Sequence, residues 1–229
     1  MKLSQKIKAL LKKPSALVQG SLSSFDKHNS EYELPGWTET ERKRAQEHDR
    51  DDDFNNPEFR LRDFLGQHPA VRAVAIDIGA GAGWYSSKLS KMFDRVIALE
   101  PSAKVLEMAR TFYPKTQYSN IEWVNGFAEK ILPTIKLDKP AFFLTSTVFS
   151  HLRDKEVIKI CRAVNGLALP GSLLCFNECW GPEHHQLMWH VRTKEWWQEQ
   201  LPGWDLDFFG PAIQDVPGRH KSFHGVKVN

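Results

Sequence analysis

The sequence predicts an α/β protein built on a doubly wound sheet of seven strands. From Val71 onward, short apolar runs rich in β-branched residues alternate with helix-length amphipathic stretches, a pattern typical of βαβ units around a buried parallel sheet. One apolar run passes directly into a glycine-rich turn at 79–83, and the next ends on Glu100. In doubly wound sheets, ligands bind at the carboxyl ends of the strands. We therefore expect a ligand-binding edge there.

Each expected strand corresponds to one apolar run. The strands are residues 73–78, 95–100, 121–124, 141–146, 172–177, 205–209 and 225–228. Helical periodicity predicts helices at about 57–65, 83–92, 103–113, 154–167 and 184–200, with Gly66 ending the first of them. Residues 126–140 are expected to form a loop or a weak helix.

The chain divides into an N-terminal helical or lid extension, residues 1–66, and a regular domain, residues 67–229. Residues 3–11 have apolar side chains at helical spacing with lysines between them, and Pro14 ends this basic helix. Docking on the protein's own body is favoured over a membrane surface, because one short helix with few apolar residues binds lipid weakly.

The rest of the extension is polar and contains an aromatic cluster around Tyr32 and Trp37. These two side chains are candidates for a lid that contacts substrate and excludes water. An apolar anchor that pins the extension to the domain is an equal alternative, since such clusters often form under long loops.

Composition and charge exclude several classes of protein. Hydrophobic residues make up 41% and charged residues 26% of the 229-residue chain, as in folded globular proteins. Lysines interrupt the first residues where a signal peptide would be apolar. Three cysteines without a CxxC pair indicate neither a disulfide framework nor a zinc ribbon, so a reducing cytoplasm is expected. A net charge of +3 is too small to indicate a nucleic-acid partner.

The turn after the first strand carries the strongest functional signal. It reads Asp77-Ile-Gly79-Ala80-Gly81-Ala-Gly83-Trp84, and such glycines let the backbone approach a ligand closely. A dinucleotide fingerprint would need glycine at position 84, and no Lys-Ser or Lys-Thr of a P-loop follows. The turn therefore indicates a nucleoside-type ligand and disfavours NAD and nucleoside triphosphates.

These residues resemble the class I S-adenosylmethionine-dependent methyltransferases, whose first motif is an acidic residue followed by G-x-G-x-G. Asp77, Gly79, Gly81 and Gly83 match that motif. The resemblance implies a Rossmann-like sheet that is mostly parallel with a C-terminal antiparallel hairpin. It also implies that S-adenosyl-L-methionine is the cofactor.

The second strand ends on Glu100, followed by Pro101 and Ser102. A carboxylate at this position can accept hydrogen bonds from both hydroxyls of a ribose. Its distance of about 20 residues from the glycine turn is the one that nucleotide-binding βαβ units require. We expect Glu100 to bind the ribose.

The later motifs extend the resemblance. Phe127, Ala128 and Glu129 follow the third strand, where the family flanks the adenine ring, and Ser146 ends the fourth strand, where the family places a residue under the methionine part. No Asn/Asp-Pro-Pro-Tyr/Phe motif follows the fourth strand. Amino methylation of nucleic-acid bases is therefore disfavoured, and we expect a small-molecule acceptor at a hydroxyl or carboxyl oxygen.

Histidine is the natural base for a hydroxyl acceptor, because its ordinary pKa lies near 6.5. His151, just past the fourth strand, is the catalytic candidate; a role in capping the next helix is the alternative. Residues expected to shape the acceptor pocket follow the fifth strand: Glu178, Trp180, His184 and His185.

Other interpretations of the sequence stay open. Cys179, His184 and His185 match no standard zinc spacing, so no metal is expected. Trp189, Trp196 and Trp197 are expected to pack in the core from the last helix. The alternative functions are a catalytically silent or regulatory S-adenosylmethionine-binding protein and an NAD-dependent enzyme of similar architecture. The sequence does not predict the oligomeric state.

Overall fold

The computed structural model describes residues 61–178, 184–186, 189–209 and 221–228. The helices are α1 (Leu61–Gln67), α2 (Trp84–Leu89), α3 (Ala103–Phe112), α4 (Ala128–Ile131), α5 (Asp154–Leu167) and α6 (Lys194–Gln200), with short 3-10 turns at Leu132–Thr134 and Phe149–His151. The strands are β1 (Val74–Ile78), β2 (Arg95–Glu100), β3 (Ile121–Asn125), β4 (Ala141–Ser146), β5 (Leu173–Glu178), β6 (His184–Gln186), β7 (Trp189–Val191), β8 (Trp204–Phe209) and β9 (Lys221–Lys227).

Seven of these strands form one sheet in the order β3-β2-β1-β4-β5-β9-β8. Strands β1 to β5 are parallel, whereas β9 runs antiparallel to β5 and to β8. The strand order reverses between β1 and β4, which pair directly, and this switch point opens a crevice at the carboxyl ends of the strands. The predicted mostly parallel seven-stranded sheet with a C-terminal antiparallel hairpin is confirmed.

Alternating side chains of the central strands supply a core on each face of the sheet. On one face, Ile76, Ile97 and Phe143 pack against α5 and α6. On the other face, Ala75, Ala98 and Phe142 belong to a cluster that includes side chains of α1 and α2. Two helical layers therefore hold the sheet, as a doubly wound fold requires.

The helix predicted over residues 184–200 is wrong in its first half. Residues 184–186 and 189–191 instead form the antiparallel strand pair β6–β7, and helix α6 begins only after Thr193, whose hydroxyl accepts a hydrogen bond from Trp196 N at 3.1 Å. Aromatic and β-branched residues such as Trp189 and Val191 favour strands, and threonine is a good helix N-cap. Trp197 packs in the core as expected, whereas Trp189 lies in β7.

Helix α1 continues through Gly66, which was expected to end it, and buries Leu61, Phe64 and Leu65 in the core. The expected division at residues 66 and 67 therefore passes through a helix that packs on the sheet. The basic helix at 3–11 and the aromatic cluster of Tyr32 and Trp37 lie outside the described residues. Among the residues described, no helix is long and apolar enough to cross a membrane.

Candidate active site

The glycine-rich turn joins β1 to α2 and has three residues in the left-handed region. Gly79, Gly81 and Gly83 have φ angles of 73°, 54° and 90°. A Cβ added to Gly79 would overlap the side chain of Val148, and one added to Gly83 would overlap Trp123. These two glycines are therefore required by the packing of the protein itself.

Gly81 differs from Gly79 and Gly83 in the space around its Cα atom. A Cβ added there would meet no atom of the described residues within 4 Å. Its left-handed backbone faces open space rather than protein, so the middle of the turn is where a ligand can approach the chain closely.

Asp77, in strand β1, holds the glycine-rich turn through a buried hydrogen bond. Its carboxylate is 2% exposed and accepts a hydrogen bond from Ser86 Oγ at 2.6 Å, which ties the end of β1 to the first turn of α2. Burial raises the pKa of Asp77 to about 6, against the opposing effect of the Ser86 hydrogen bonds. The structure therefore gives Asp77 a direct role in holding the loop.

Glu100 lies across the turn from Asp77. Its side chain is buried, with Oε2 accepting from Gly81 N at 3.0 Å and Oε1 accepting from Ser102 N at 2.8 Å. Burial raises the pKa of Glu100 to about 7. Each carboxylate oxygen has two lone pairs, so both retain acceptor capacity beside the open face of Gly81.

The end of β3 completes this edge. Asn125 donates from Nδ2 to the carbonyls of Glu100 and Pro101 at 2.9 and 3.0 Å, and Gly126 N donates to Glu100 O at 3.2 Å. Phe127 then precedes α4, with Lys130 Nζ 5.3 Å from its ring centroid. Asn125 was missed in the sequence, where a polar residue at a strand end looks like an ordinary loop residue.

A second cluster of polar side chains lies at the ends of β4 and β5. Ser146 Oγ accepts from Asn177 Nδ2 at 3.0 Å and lies 3.5 Å from Tyr85 OH. Ser222 Oγ in turn donates to Asn177 Oδ1 at 3.0 Å. Tyr85, Asn177 and Ser222 were not identified from the sequence, because they come from separate elements: Asn177 meets Ser146 where β4 pairs with β5, Ser222 meets Asn177 where β5 pairs with β9, and Tyr85 lies in α2.

Comparisons with known proteins agree on this domain. A family model described as a methyltransferase domain matches residues 75–171. A Dictyostelium discoideum protein described as a candidate methyltransferase is 44% identical over 68 residues, which cover 29% of this chain and 24% of that protein. The match thus spans about a quarter of the curated relative. Residues 75–171 therefore resemble a methyltransferase domain, in agreement with the motifs of the sequence.

Solved structures of methyltransferases have the same fold as this chain. The S-adenosylmethionine-bound amino pentose methyltransferase of calicheamicin biosynthesis from Micromonospora echinaspora superposes with a TM-score of 0.61, at 14% identity, over 82% of this chain and 96% of that one. An S-adenosylmethionine-dependent methyltransferase from Aquifex aeolicus gives 0.54, at 18% identity, over 80% and 98%.

The residues present fit the family's cofactor, S-adenosylmethionine. The open face of Gly81 is a cradle that any side chain would fill, and the Glu100 carboxylate lies beside it as an acceptor for ribose hydroxyls. The missing glycine at position 84 also has a structural explanation, since Trp84 opens α2 with its ring against Tyr85.

The loop after β4 carries His151 and contains the strained residue Thr147. Among the described residues, Thr147 is the one non-glycine with positive φ, at 58°, a conformation that costs of the order of 1–3 kcal/mol for such a residue. Its N–H donates to Asn177 O at 2.9 Å. His151 is half-buried and ends the following 3-10 turn.

Glu178 does not have the geometry expected of an acceptor-contacting residue. It is fully buried, and its carboxylate accepts hydrogen bonds from Val148 N at 2.9 Å and Ser150 N at 3.1 Å. Both oxygens therefore face the backbone of the β4 loop. The sequence predicted that Glu178 lies at the carboxyl ends of the strands. It did not predict that the carboxylate accepts hydrogen bonds from the loop backbone.

The remaining acceptor-pocket candidates are placed only in part. His184 and His185 lie in β6, in register with Val191 and His190 of β7, whereas Trp180, Tyr32 and Trp37 lie outside the described residues. Cys161 and Cys175 are buried free thiols. In the described ranges, no three His, Cys, Asp or Glu residues are grouped to hold a metal ion.

Proposed function

We propose that this protein transfers a methyl group from S-adenosylmethionine to an oxygen atom of a small-molecule acceptor. The observation that carries the proposal is the position of the Glu100 carboxylate against Gly81, the one glycine of the turn whose added Cβ would meet no described atom. A buried acceptor beside an open backbone suits a nucleoside with free ribose hydroxyls.

In this proposal the residues that bind the cofactor lie at the ends of four strands, β1 to β4. Glu100 binds the ribose, with its carboxylate held by the N–H of Ser102, and Pro101 and Ser102 lie beside the cofactor. Phe127, Ala128 and Glu129 line the adenine position. Ala80, Gly81 and Ser146 lie toward the methionine part, and Asp77, Gly79 and Gly83 hold the turn in shape.

The bound cofactor supplies an activated sulfonium methyl, so the protein mainly has to hold the acceptor in line at near-attack distance and exclude water. Ser146, Asn177 and Tyr85 offer polar groups for this purpose at the ends of β4 and β5. Trp180, His184, His185, Tyr32 and Trp37 are proposed to form or cover the rest of the pocket.

His151 is the proposed general base for a hydroxyl acceptor. It lies in the loop that follows β4, at the edge where doubly wound folds bind their ligands. Its neutral imidazole can take the hydroxyl proton as the oxygen attacks the methyl carbon. A carboxylate acceptor would need no base.

A small-molecule acceptor is supported by structural neighbours that carry such descriptions, among them a glycopeptide N-methyltransferase of TM-score 0.55 at 16% identity and the amino pentose enzyme above. The near-neutral charge of this chain also gives little attraction for nucleic acid.

The test is a transfer assay with S-adenosylmethionine labelled in its methyl group. Small hydroxyl, carboxyl and amine compounds and RNA are offered as separate acceptor sets, and the labelled product is identified by mass spectrometry. We expect label on oxygen of a small molecule. Label on RNA, with an affinity that falls steeply as salt is added, would overturn the proposed acceptor. Label on nitrogen would overturn the proposed atom.

A further inference from the structure

Two buried residues of opposite charge hold the loop that follows β4. The first is Glu178, at the end of β5, whose carboxylate is fully buried and accepts from Val148 N and Ser150 N at 2.9 and 3.1 Å. The second is Arg192, which directly follows β7 and is 2% exposed.

Arg192 uses its guanidinium on the carbonyl groups of the same loop. Nη1 donates to Phe149 O at 2.8 Å and Nη2 donates to Leu152 O at 2.6 Å. Nε is paired with Asp154 Oδ1 at 2.8 Å, at the start of α5. The acid therefore holds the loop's N–H groups and the guanidinium holds its carbonyls.

Aromatic rings fix the guanidinium in this position. The Cζ atom of Arg192 lies 4.9 Å from the ring centroid of Trp196 and 5.9 Å from that of Trp197. A planar guanidinium stacked on rings loses little further freedom when it donates several hydrogen bonds.

Holding a short loop with two buried charges costs free energy of folding. Burying two charges is unfavourable unless their hydrogen bonds are complete, and apolar replacements of such pairs often give equal or greater stability. The loop also contains the strained Thr147, and strained backbone persists only where the surroundings over-determine it. Both features are typical of positions where geometry matters more than stability.

The loop contacts the glycine-rich turn through Val148. Val148, whose N–H is held by Glu178, packs directly on Gly79 of the glycine-rich turn, where a Cβ would overlap it. The other end of the loop carries His151. The position of the loop therefore affects both the turn that binds the cofactor and the candidate base.

We propose that Glu178 and Arg192 are positioning residues for methyl transfer, which fix the 147–152 loop so that Val148 supports the glycine-rich turn and His151 meets the acceptor. This inference rests on the proposed function, because it assigns the loop to the methyl-transfer site. It predicts that loosening either residue weakens cofactor binding by the folded protein, through Val148.

The test uses S-adenosylhomocysteine as the probe and isothermal titration on the full chain. One variant is Glu178→Gln, which keeps the side-chain shape and removes the negative charge. The other is Arg192→Lys, which keeps the positive charge and removes the planar guanidinium with its several donors. The matched control is Asn120→Ala, which removes two side-chain hydrogen bonds, to Ser90 O and Phe93 O. Asn120 directly precedes β3 and so lies at the amino ends of the parallel strands, away from the ends that carry the loop.

We expect Glu178→Gln and Arg192→Lys each to weaken the affinity about fivefold to tenfold at a temperature where circular dichroism shows the protein folded. Asn120→Ala should change it less than twofold. If Glu178→Gln does not fold, the affinity of Arg192→Lys compared with that of the control tests the inference by itself. Equal affinities in the loop variants and the control would overturn the inference and leave the residues merely structural.

A double-mutant cycle with Val148→Ala separates positioning from a general loss of stability. If Glu178 acts through Val148, the double variant should bind no more weakly than the weaker single variant, since residues of one coupled unit are not additive. Effects that multiply would show that Glu178 does not act through this contact and would overturn the inference.

Failure of the inference is distinguishable from failure of the proposed function. A wild-type protein that binds no S-adenosylhomocysteine contradicts the cofactor assignment and removes the basis of both. A wild-type protein that binds it, with loop variants that bind equally well, contradicts the positioning role alone.

Discussion

The two halves of the ligand-binding edge are built by different means. At the ends of β1, β2 and β3, the site consists mainly of backbone held by two buried carboxylates: a left-handed glycine turn tied by Asp77, Glu100 against Gly81, and carbonyls held by Asn125. At the ends of β4 and β5, side chains from distant segments hold a strained loop, with Glu178 and Arg192 buried beneath it.

This difference has a physical reason. A ligand common to a whole fold family can be bound by backbone geometry, which glycine spacing alone encodes. An acceptor that varies among proteins of one fold has to be met by side chains on adjustable loops over a rigid scaffold. The predictions below test whether the two halves are separable.

The largest effect is expected in the acceptor half. His151→Ala should lower turnover by about 10²- to 10⁴-fold, the usual contribution of a general base, while S-adenosylhomocysteine affinity changes little. Steady-state kinetics with the acceptor identified by the labelling assay, together with titration calorimetry, measure both quantities. Unaltered turnover would remove His151 from the mechanism and direct attention to His184 and His185.

The next effect is expected at Gly81. Asparagine tolerates the left-handed region better than other side chains, so Gly81→Asn should fold and yet fill the open face, with a loss of cofactor affinity of about 100-fold or more. The control is Gly171→Asn, at a turn with φ of 82° where an added Cβ makes only ordinary contact with Pro140.

Binding by the two glycine variants is compared with their melting temperatures. Gly171→Asn should retain wild-type affinity for S-adenosylhomocysteine. Retained affinity in Gly81→Asn would show that the open face does not receive the cofactor, and the cofactor half would have to be placed elsewhere.

Glu100→Ala should weaken S-adenosylhomocysteine binding by about 1.5–3 kcal/mol, the scale of hydrogen bonds to a charged group, which corresponds to roughly 10- to 150-fold. A 2',3'-dideoxy analogue should bind wild type and variant almost equally, because it lacks the hydroxyls that Glu100 accepts from. If the variant lost affinity for the analogue as well as for the natural ligand, the carboxylate would act on the loop and not on the ribose.

A smaller effect is expected from pH. Burial raises the pKa of Glu100 to about 7, and the ribose hydroxyls need the ionised form as acceptor. Affinity for S-adenosylhomocysteine should therefore rise about tenfold from pH 6 to pH 8, and Glu100→Gln should flatten this profile. A flat wild-type profile would mean that Glu100 is already ionised in the free protein.

The same shift affects stability in the opposite direction. The folded protein without cofactor holds more protons than the unfolded chain between pH 4.5, the ordinary pKa of this carboxyl, and about 7. Its free energy of unfolding should therefore receive a falling contribution from Glu100 as pH rises through that window. Urea unfolding of wild type and Glu100→Gln at pH 5 and pH 7.5 measures it.

The contrast between the two halves also explains what the sequence predicts. The strands, the glycine turn and Glu100 follow from local patterns: apolar periodicity, glycine spacing and an acid at a strand end. All seven strands of the main sheet were predicted, with β9 too short because Ser222 and Phe223 follow a stretch without clear alternation.

The ends of β4 and β5, where we propose that the acceptor binds, were predicted less well because their contacts join residues far apart in the chain. Arg192 was not identified, since nothing local distinguishes an arginine that will be buried under a loop more than 35 residues earlier. Glu178 was placed in the acceptor pocket although its carboxylate faces the loop backbone. The strands β6 and β7 were predicted as part of a helix, because Trp189 lies at helical spacing from Trp196 and Trp197, which do belong to α6.

The roles of the extension, the domain division at residue 66 and a cytoplasmic location stay predictions. Residues 1–60 lie outside the described part of the chain, so the choice between lid and anchor for Tyr32 and Trp37 needs a truncation. Removing residues 1–40 should weaken acceptor binding more than cofactor binding if these side chains form a lid, as steady-state kinetics would show.

The central claim is that the β1–β2 edge binds S-adenosylmethionine, and isothermal titration of the wild-type protein tests it most directly. S-adenosylmethionine, S-adenosylhomocysteine and NAD are titrated in parallel into the same preparation at pH 7.5. The structure predicts micromolar binding of the first two with one site per chain, and no measurable heat from NAD. Binding of NAD, or of none of the three, would contradict the claim.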